Sequence, residues 1–244
     1  MIHPEAKIEK GVVLGKNVVI DKDVVIEEGV TVGNNVVIYP GVKIGENTRI
    51  FDNAVLGRPP LATGNIARKL KKEYPPLEIG RECVIGAGCV IYTGTKIGNE
   101  VLIGDLAAIR EECEIGNRVV IGRCSVLNYN IIIKDRVRIM DTCHFGGDML
   151  IEEDVFISPH VCSANDNYMG IFPDRERRGA IIRRGALIGT NVTLLAWIEI
   201  GEYAVIGAGS VVNKDIPPRK VAAGVPVRII KDVPEEWLKH MEKK

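Results

Sequence analysis

Stepping along the chain six residues at a time meets an apolar side chain at every stop. Ile8, Leu14, Ile20, Ile26, Val32, Ile38, Ile44, Ile50 and Leu56 continue a run that opens at Ile2. A second run extends from Ile79 to Ile157 and a third from Ile182 to Val212. The residue after the stop is often glycine, as in Leu14-Gly15, Val32-Gly33, Ile85-Gly86 and Ile206-Gly207. Four residues after it stands a small or β-branched residue, such as Val24, Val36, Thr48, Ala107 or Ser125. A 3.6-residue helix cannot hold a strict period of six on one face, and the glycine and β-branched content also disfavours it. Short strands joined at glycine-rich corners can. Two inward side chains per hexad then line a narrow prism, whose coils stack at the strand spacing of about 4.8 Å. The expected fold is all-β, a parallel β-helix, and such a one-dimensional array needs capped ends.

Two segments break the period. Residues 58–78 carry the densest basic run, Arg68-Lys69-Leu70-Lys71-Lys72. They read either as a solvated surface loop or as a loop reaching over a neighbouring subunit to close a substrate site. Residues 163–181 mix aromatic, acidic and basic side chains, unlike the coils around them, and are expected to form a substrate lid. The β-helix is thus assigned to residues 1–216 and a C-terminal cap to 217–244. Pro217 and Pro218 end the ladder, and Asp232 is placed to N-cap a short helix running from Pro234 to about Glu242.

Aromatic residues make up only 5% of the chain, so the core must be aliphatic. Lys+Arg and Asp+Glu both number 32, and this balance offers no global field for nucleic acid or an anionic membrane. No apolar run approaches the roughly 18 residues a membrane span needs. The opening Met1-Ile2-His3-Pro4-Glu5 lacks the features of a secretory leader. The expected compartment is the cytoplasm. Of the six cysteines, Cys83, Cys89, Cys113 and Cys143 fall in the small inward slot and read as packing residues. Cys124 and Cys162 have no metal-ligand spacing. Only His144 and His160 lie mid-array, so a three-histidine metal site is not expected.

The hexads resemble the hexapeptide-repeat acyltransferase superfamily over roughly residues 2–216: an aliphatic residue, then Gly, Ala, Glu or Asp, then two free positions, then Ser, Thr, Ala or Val. The resemblance implies a left-handed helix with three hexads per triangular coil, hence about ten coils, and a homotrimer. Residues 151–161, I-E-E-D-V-F-I-S-P-H-V, followed by Asn165-Asp166, are similar to the I-E-D-D-V-F-I-G-P-N-V stretch of bacterial sugar-nucleotide N-acetyltransferases. Residues 185–194 resemble that family's G-A-x-I-G-A-N-A-T-I, and residues 206–217 its I-G-A-G-S-V-V-T-K-D-V-P. Two departures stand out: Asp141 occupies a position where those enzymes carry Asn, and His160 replaces the Asn of G-P-N-V. The histidine motif of lipid A acyltransferases is missing, its coil reading Leu127-Asn128-Tyr129-Asn130. The second excursion has Asn165, Asp166, Asn167 and Tyr168 where xenobiotic and galactoside acetyltransferases place a histidine.

This resemblance implies acetyl transfer from acetyl-CoA, most specifically to the amine of an amino-sugar nucleotide. Gly189, Thr190 and Ala208 are where it would seat the pantetheine arm, with Lys214 and Arg228 as charge partners of the CoA phosphates. His160, Asn165, Asp166 and Tyr168 are candidate acceptor contacts. An amine needs positioning and a proton acceptor, whereas a hydroxyl needs a stronger base, normally histidine. Asp141 and His144 are the two candidates for that role. Alternatives are an O-acyltransferase or lipid A type enzyme of the same fold, an amino-acid N-acyltransferase, and a non-catalytic scaffold.

Overall fold

The computed structural model describes residues 1–63, 68–172 and 174–242. Short parallel strands, mostly of two residues, stack into three sheets. The first face holds ten strands, from Lys7–Ile8 to Glu199–Ile200. The third also holds ten, from Val19–Ile20 to Val211–Val212. The second holds twelve, beginning at Val13–Leu14 and ending in a C-terminal hairpin. Within an uninterrupted stretch each strand pairs with the one 18 residues on, as Lys7 with Val25 and Ile8 with Ile26. Three hexads therefore close one coil, and ten coils stack into a triangular parallel β-helix; the period of six predicts the short strands, and the family resemblance the triangle.

Each corner turns on a residue three places after the inward aliphatic, with φ near +60°. Asn17, Asn35 and Asn53 adopt this conformation at 56°, 56° and 62°. Asparagine tolerates it, but the same place is filled by Leu106 at 60°, Thr142 at 58° and Trp197 at 67°. The stacked coils impose the left-handed conformation on side chains that avoid it in isolation.

The inward positions are buried as expected, with Ile26, Ile38, Ile91, Ile121 and Phe145 all at 0% exposure. The first coil departs from the pattern: Ile8 and Leu14 are only partly buried, and the largest departure is Ile2. It is half exposed and makes only an isolated bridge to Ile20, because no coil lies below it. The ladder also runs one rung beyond Ile157, through Cys162–Ser163, where a serine takes an inward position. Cys83, Cys89, Cys113 and Cys143 are buried, while Cys124 and Cys162 are exposed. Burial pushes the buried thiols up, to about 11 for Cys89 and Cys143 and about 12 for Cys113. A thiolate is the reacting form, so a thiol-titration reagent at pH 8 should modify two cysteines quickly in the native protein and all six after denaturation. Rapid native modification of more than two would show that the prism opens.

Both excursions leave the same edge of the prism. The first departs after Val55–Arg58 on the third face and returns at Glu78–Ile79 on the first. The second departs after Cys162–Ser163 and returns at Ile181–Ile182, again third face to first. The described part of the first folds back on its own chain, where Lys71 pairs with Glu112. At the C-terminus, Lys220–Ala223 adds in parallel beside Val205–Ile206, and Arg228–Asp232 turns back antiparallel. The helix Glu235–Met241 then packs Leu238 and Met241 against Leu187, Tyr203, Val205 and Val221 on the second face. The expected Asp232 cap does not form. Asp232 belongs to the hairpin strand and pairs with Lys220, and Pro234 occupies the cap position without a side-chain bond.

Candidate active site

The edge between the second and third faces carries a column of equivalent corner residues, one per coil. Asp141 stands in it, and its carboxylate is fully engaged by Arg123 directly below. Oδ1 accepts the Arg123 backbone N–H at 2.8 Å, and Oδ2 accepts Nε at 3.1 Å and Nη2 at 2.6 Å. The Arg123 guanidinium and backbone N–H hold the Asp141 carboxyl below the usual carboxylate range. The same backbone bond recurs along this column, where Asn34 accepts from Lys16 and Asp105 from Ala87, both at 2.8 Å. Close stacking makes the bond possible: a Cβ on Gly122 would lie 2.4 Å from the Asp141 nitrogen. Asp141 therefore occupies the place of a corner-stitching residue, with its lone pairs spent on a cation.

His144 projects from the third face, exposed, two residues past Thr142. Asn128 Nδ2 donates to the Phe145 carbonyl at 3.0 Å and lies 3.3 Å from His144 Nε2. An amide N–H facing that nitrogen selects the tautomer with the lone pair on Nε2 and the proton on Nδ1. Cys162 is the ladder neighbour of His144 in the next coil. His160 lies back on the edge column, its Nδ1 2.8 Å from the Thr142 hydroxyl. Asp141, Thr142, His160 and His144 thus cluster on one edge and the face beside it.

The second excursion borders the opposite edge of that face. Asp166 turns inward on its own loop, accepting the backbone N–H of Tyr168 at 2.7 Å and of Gly170 at 2.9 Å. Those N–H donors keep its carboxyl low, helped by Arg177. Asn167 binds the Ala196 backbone twice, at 2.9 and 3.0 Å, and moors the loop to the coil above. A cavity of about 530 Å³ opens beside it, lined by Asn167, Tyr168, Arg175, Glu176 and Trp197. Trp197 was not among the residues the sequence singled out. Its signal is a bulky aromatic at the left-handed corner position, three after Leu194, a place that Asn, Asp, Glu or Gly fill more often and Tyr203 fills in the next hexad.

Gly189, Thr190 and Ala208 continue the Asp141 column upward, and Gly189 sits tightly beneath Ala208, whose nitrogen would meet a Gly189 Cβ at 2.6 Å. Arg228 pairs with Ala223 at the top of the same edge. Lys214 does not join them, because it follows Val211–Val212 and so falls on the edge of the excursions. The sequence places both residues near the array's end; only the triangular section separates them. Among the described residues, no group of three His, Cys, Asp or Glu side chains could hold one metal ion.

A repeat described as the bacterial transferase hexapeptide (six repeats) matches residues 23–58, 94–128 and 179–214. The hexapeptide repeat of succinyl-transferase matches residues 5–40 and 76–104, and the two together cover more than half of the chain. The chain belongs to the hexapeptide-repeat acyltransferase superfamily. Within that superfamily it is 41% identical over 90 residues to the bifunctional protein GlmU of Rubrobacter xylanophilus, covering 37% of this chain and 18% of the relative. It is 36% identical over 111 residues to the galactoside O-acetyltransferase of Escherichia coli strain K12, covering 43% and 50%. The chain thus spans half or less of the length of these curated relatives. A solved UDP-N-acetylglucosamine acyltransferase from Arabidopsis aligns with 98% of this hexapeptide-repeat chain and 77% of its own, at 19% identity and a TM-score of 0.46. No helix among the described residues is long and apolar enough to cross a membrane.

Proposed function

We propose that the chain is an acetyl-CoA-dependent acetyltransferase whose acceptor is the amine of a nucleotide-linked amino sugar, working as a cytoplasmic homotrimer. The observation that carries the acyl-transfer reading is the place of His144, and the choice of an amine rests on the resemblance of residues 151–161 and 206–217. Its exposed imidazole stands on the face between the edge bearing Gly189, Thr190 and Ala208 and the edge bearing the second excursion. The pantetheine arm lies along the first edge, with Arg228 meeting CoA phosphates, and the acceptor enters from the second, past Tyr168 and Trp197. The amine nitrogen attacks the thioester carbon, its proton passes to His144 Nε2 as that nitrogen gives up its 3.3 Å contact with Asn128, and the departing CoA sulfur receives it. Asp141 orients Arg123 at the site's margin, and His160 and Asn165 flank the acceptor.

One observation favours a hydroxyl acceptor instead. With Asp141 committed to Arg123, imidazole is the base left on this face, and a hydroxyl is the nucleophile that most needs it. The O-acetyltransferase relative is consistent with that reading. A CoA-release assay over a panel of amino-sugar nucleotides and hydroxyl acceptors, with mass spectrometry of products, decides between them. Product on amines alone supports the first reading. Product on hydroxyls alone replaces it with O-acetylation.

Assembly is tested separately. The second face exposes Phe51 and Leu102 around an apolar groove that ends at Arg123 and Asp141. Burying it against a neighbour would complete three equivalent sites. Light scattering at micromolar concentration should return three times the monomer mass; a monomer there removes both the assembly and any shared site.

A further inference from the structure

The first excursion has no part in the site described so far, yet its described residues are held firmly over two coils. Arg68 lays its guanidinium on the ring of Tyr129, Cζ 3.8 Å from the centroid. It also pairs with Glu111, whose side chain is wholly buried and also accepts Arg110, through Nη2 at 3.0 Å and Nε at 3.1 Å. A buried carboxylate needs such cations, so Glu111 anchors Arg68 in place. The ring beneath the guanidinium is itself confined. It covers Gly147 in the next coil, where a Cβ would fall 2.5 Å from a ring carbon. Its hydroxyl reaches one coil further and accepts a hydrogen bond from Asn165 Nδ2 at 3.1 Å. Asn165 opens the second excursion and closes it as well, since its carbonyl accepts the Arg178 N–H at 3.1 Å. Asn128, adjacent in sequence to Tyr129, contacts His144.

We propose that Tyr129 is a positioning residue that ties the first excursion to the second and, through Asn128, to the His144 imidazole, with Arg68 as the clamp that orders its ring. Ordering the root of the second excursion fixes Tyr168 and the cavity beside Trp197, so acceptor binding depends on a loop that need not touch the acceptor. The catalytic consequence rests on the transfer site proposed above; the mechanical coupling does not. Coupling of this kind runs through contiguous packed groups, and here every link is a named contact.

Hydrogen exchange on the full chain tests the coupling without any assay of activity. The reporters are the amides of Tyr168, Gly170 and Arg178, bonded to Asp166 and Asn165. Arg68→Ala should speed their exchange about tenfold, as loss of a partly desolvated cation–ring contact predicts. Arg68→Ala/Glu111→Gln should do the same while leaving no buried carboxylate short of a partner, which separates the effect from general loss of fold. Tyr129→Phe keeps the ring stack and removes only the hydroxyl, so it should speed the same amides about fivefold. Combined with Arg68→Ala it should add little, because both act through one chain of contacts. In the transfer assay the acceptor KM should rise in these variants and the CoA KM stay constant. Unchanged exchange in both Arg68→Ala/Glu111→Gln and Tyr129→Phe overturns the proposal. Accelerated exchange in a protein that acetylates nothing upholds the coupling and discards the transfer-site reading instead.

Discussion

Replacing His144 by alanine should lower kcat by about 10²–10⁴-fold, the range for a positioned acid–base group. It should leave the CoA KM unchanged, because the imidazole lies off the edge proposed for the pantetheine arm. Asp141→Asn should cost far less. Its Oδ1 can still accept the Arg123 backbone N–H, so the corner stitch survives and only an ion pair to the largely exposed Arg123 is lost. Such pairs contribute about 0–1 kcal/mol to stability. The order of the two effects is the decisive quantity. Steady-state kinetics on one accepted substrate would return it directly. A severe Asp141→Asn loss beside a mild His144→Ala loss would mean that the carboxylate leaves Arg123 when the acceptor binds, and the base assignment would have to be reversed.

Phe145→Ala should destabilise the fold by about 3–5 kcal/mol, the cost of emptying a buried aromatic site. Phe145 is the largest fully buried side chain among the described residues. It stacks over Leu127, and the following rung carries Ser163, so a large side chain is accommodated below a small one. Ser163 in turn accepts the Gly146 N–H at 3.0 Å and contacts the Met149 sulfur at 3.0 Å. Strand ladders above and below prevent this level from collapsing, which places the loss toward the upper end. Phe145→Leu should cost about 1 kcal/mol, since the leucine below already shows that such a side chain fits the section. Urea unfolding with an unchanged m-value measures both. A loss under about 1 kcal/mol for the alanine variant would mean that the coils do relax into the void. Because the array couples neighbours most strongly, the same variant should also loosen His144 more than Gly189 or Ala208.

The family resemblance supplied the triangle and the count of about ten coils; the period of six was sufficient to read the strands and their inward residues, because one hexad repeats the same local geometry. It placed Cys83, Cys89, Cys113 and Cys143 inside for the same reason: burial in a solenoid follows register alone. The serine at 163 hid one rung, since a polar inward residue looks like the end of a run until the strands on either side are seen to pair with it. What register cannot express is contact across the triangle's section or along its edge. Lys214 and Arg228 are close in sequence yet stand on different edges, and Asp232 is an evident cap until its strand pairs with Lys220. Asp141 looks available until the 18-residue rise of one coil brings Arg123 beneath it. Tyr129 joins Arg68 from far down the chain to Asn165 two coils above. Repetition along the chain determined the scaffold, because each inward residue answers only to its own hexad. The site was decided by stacking, because its partners meet only after whole coils and two excursions have been folded onto one edge.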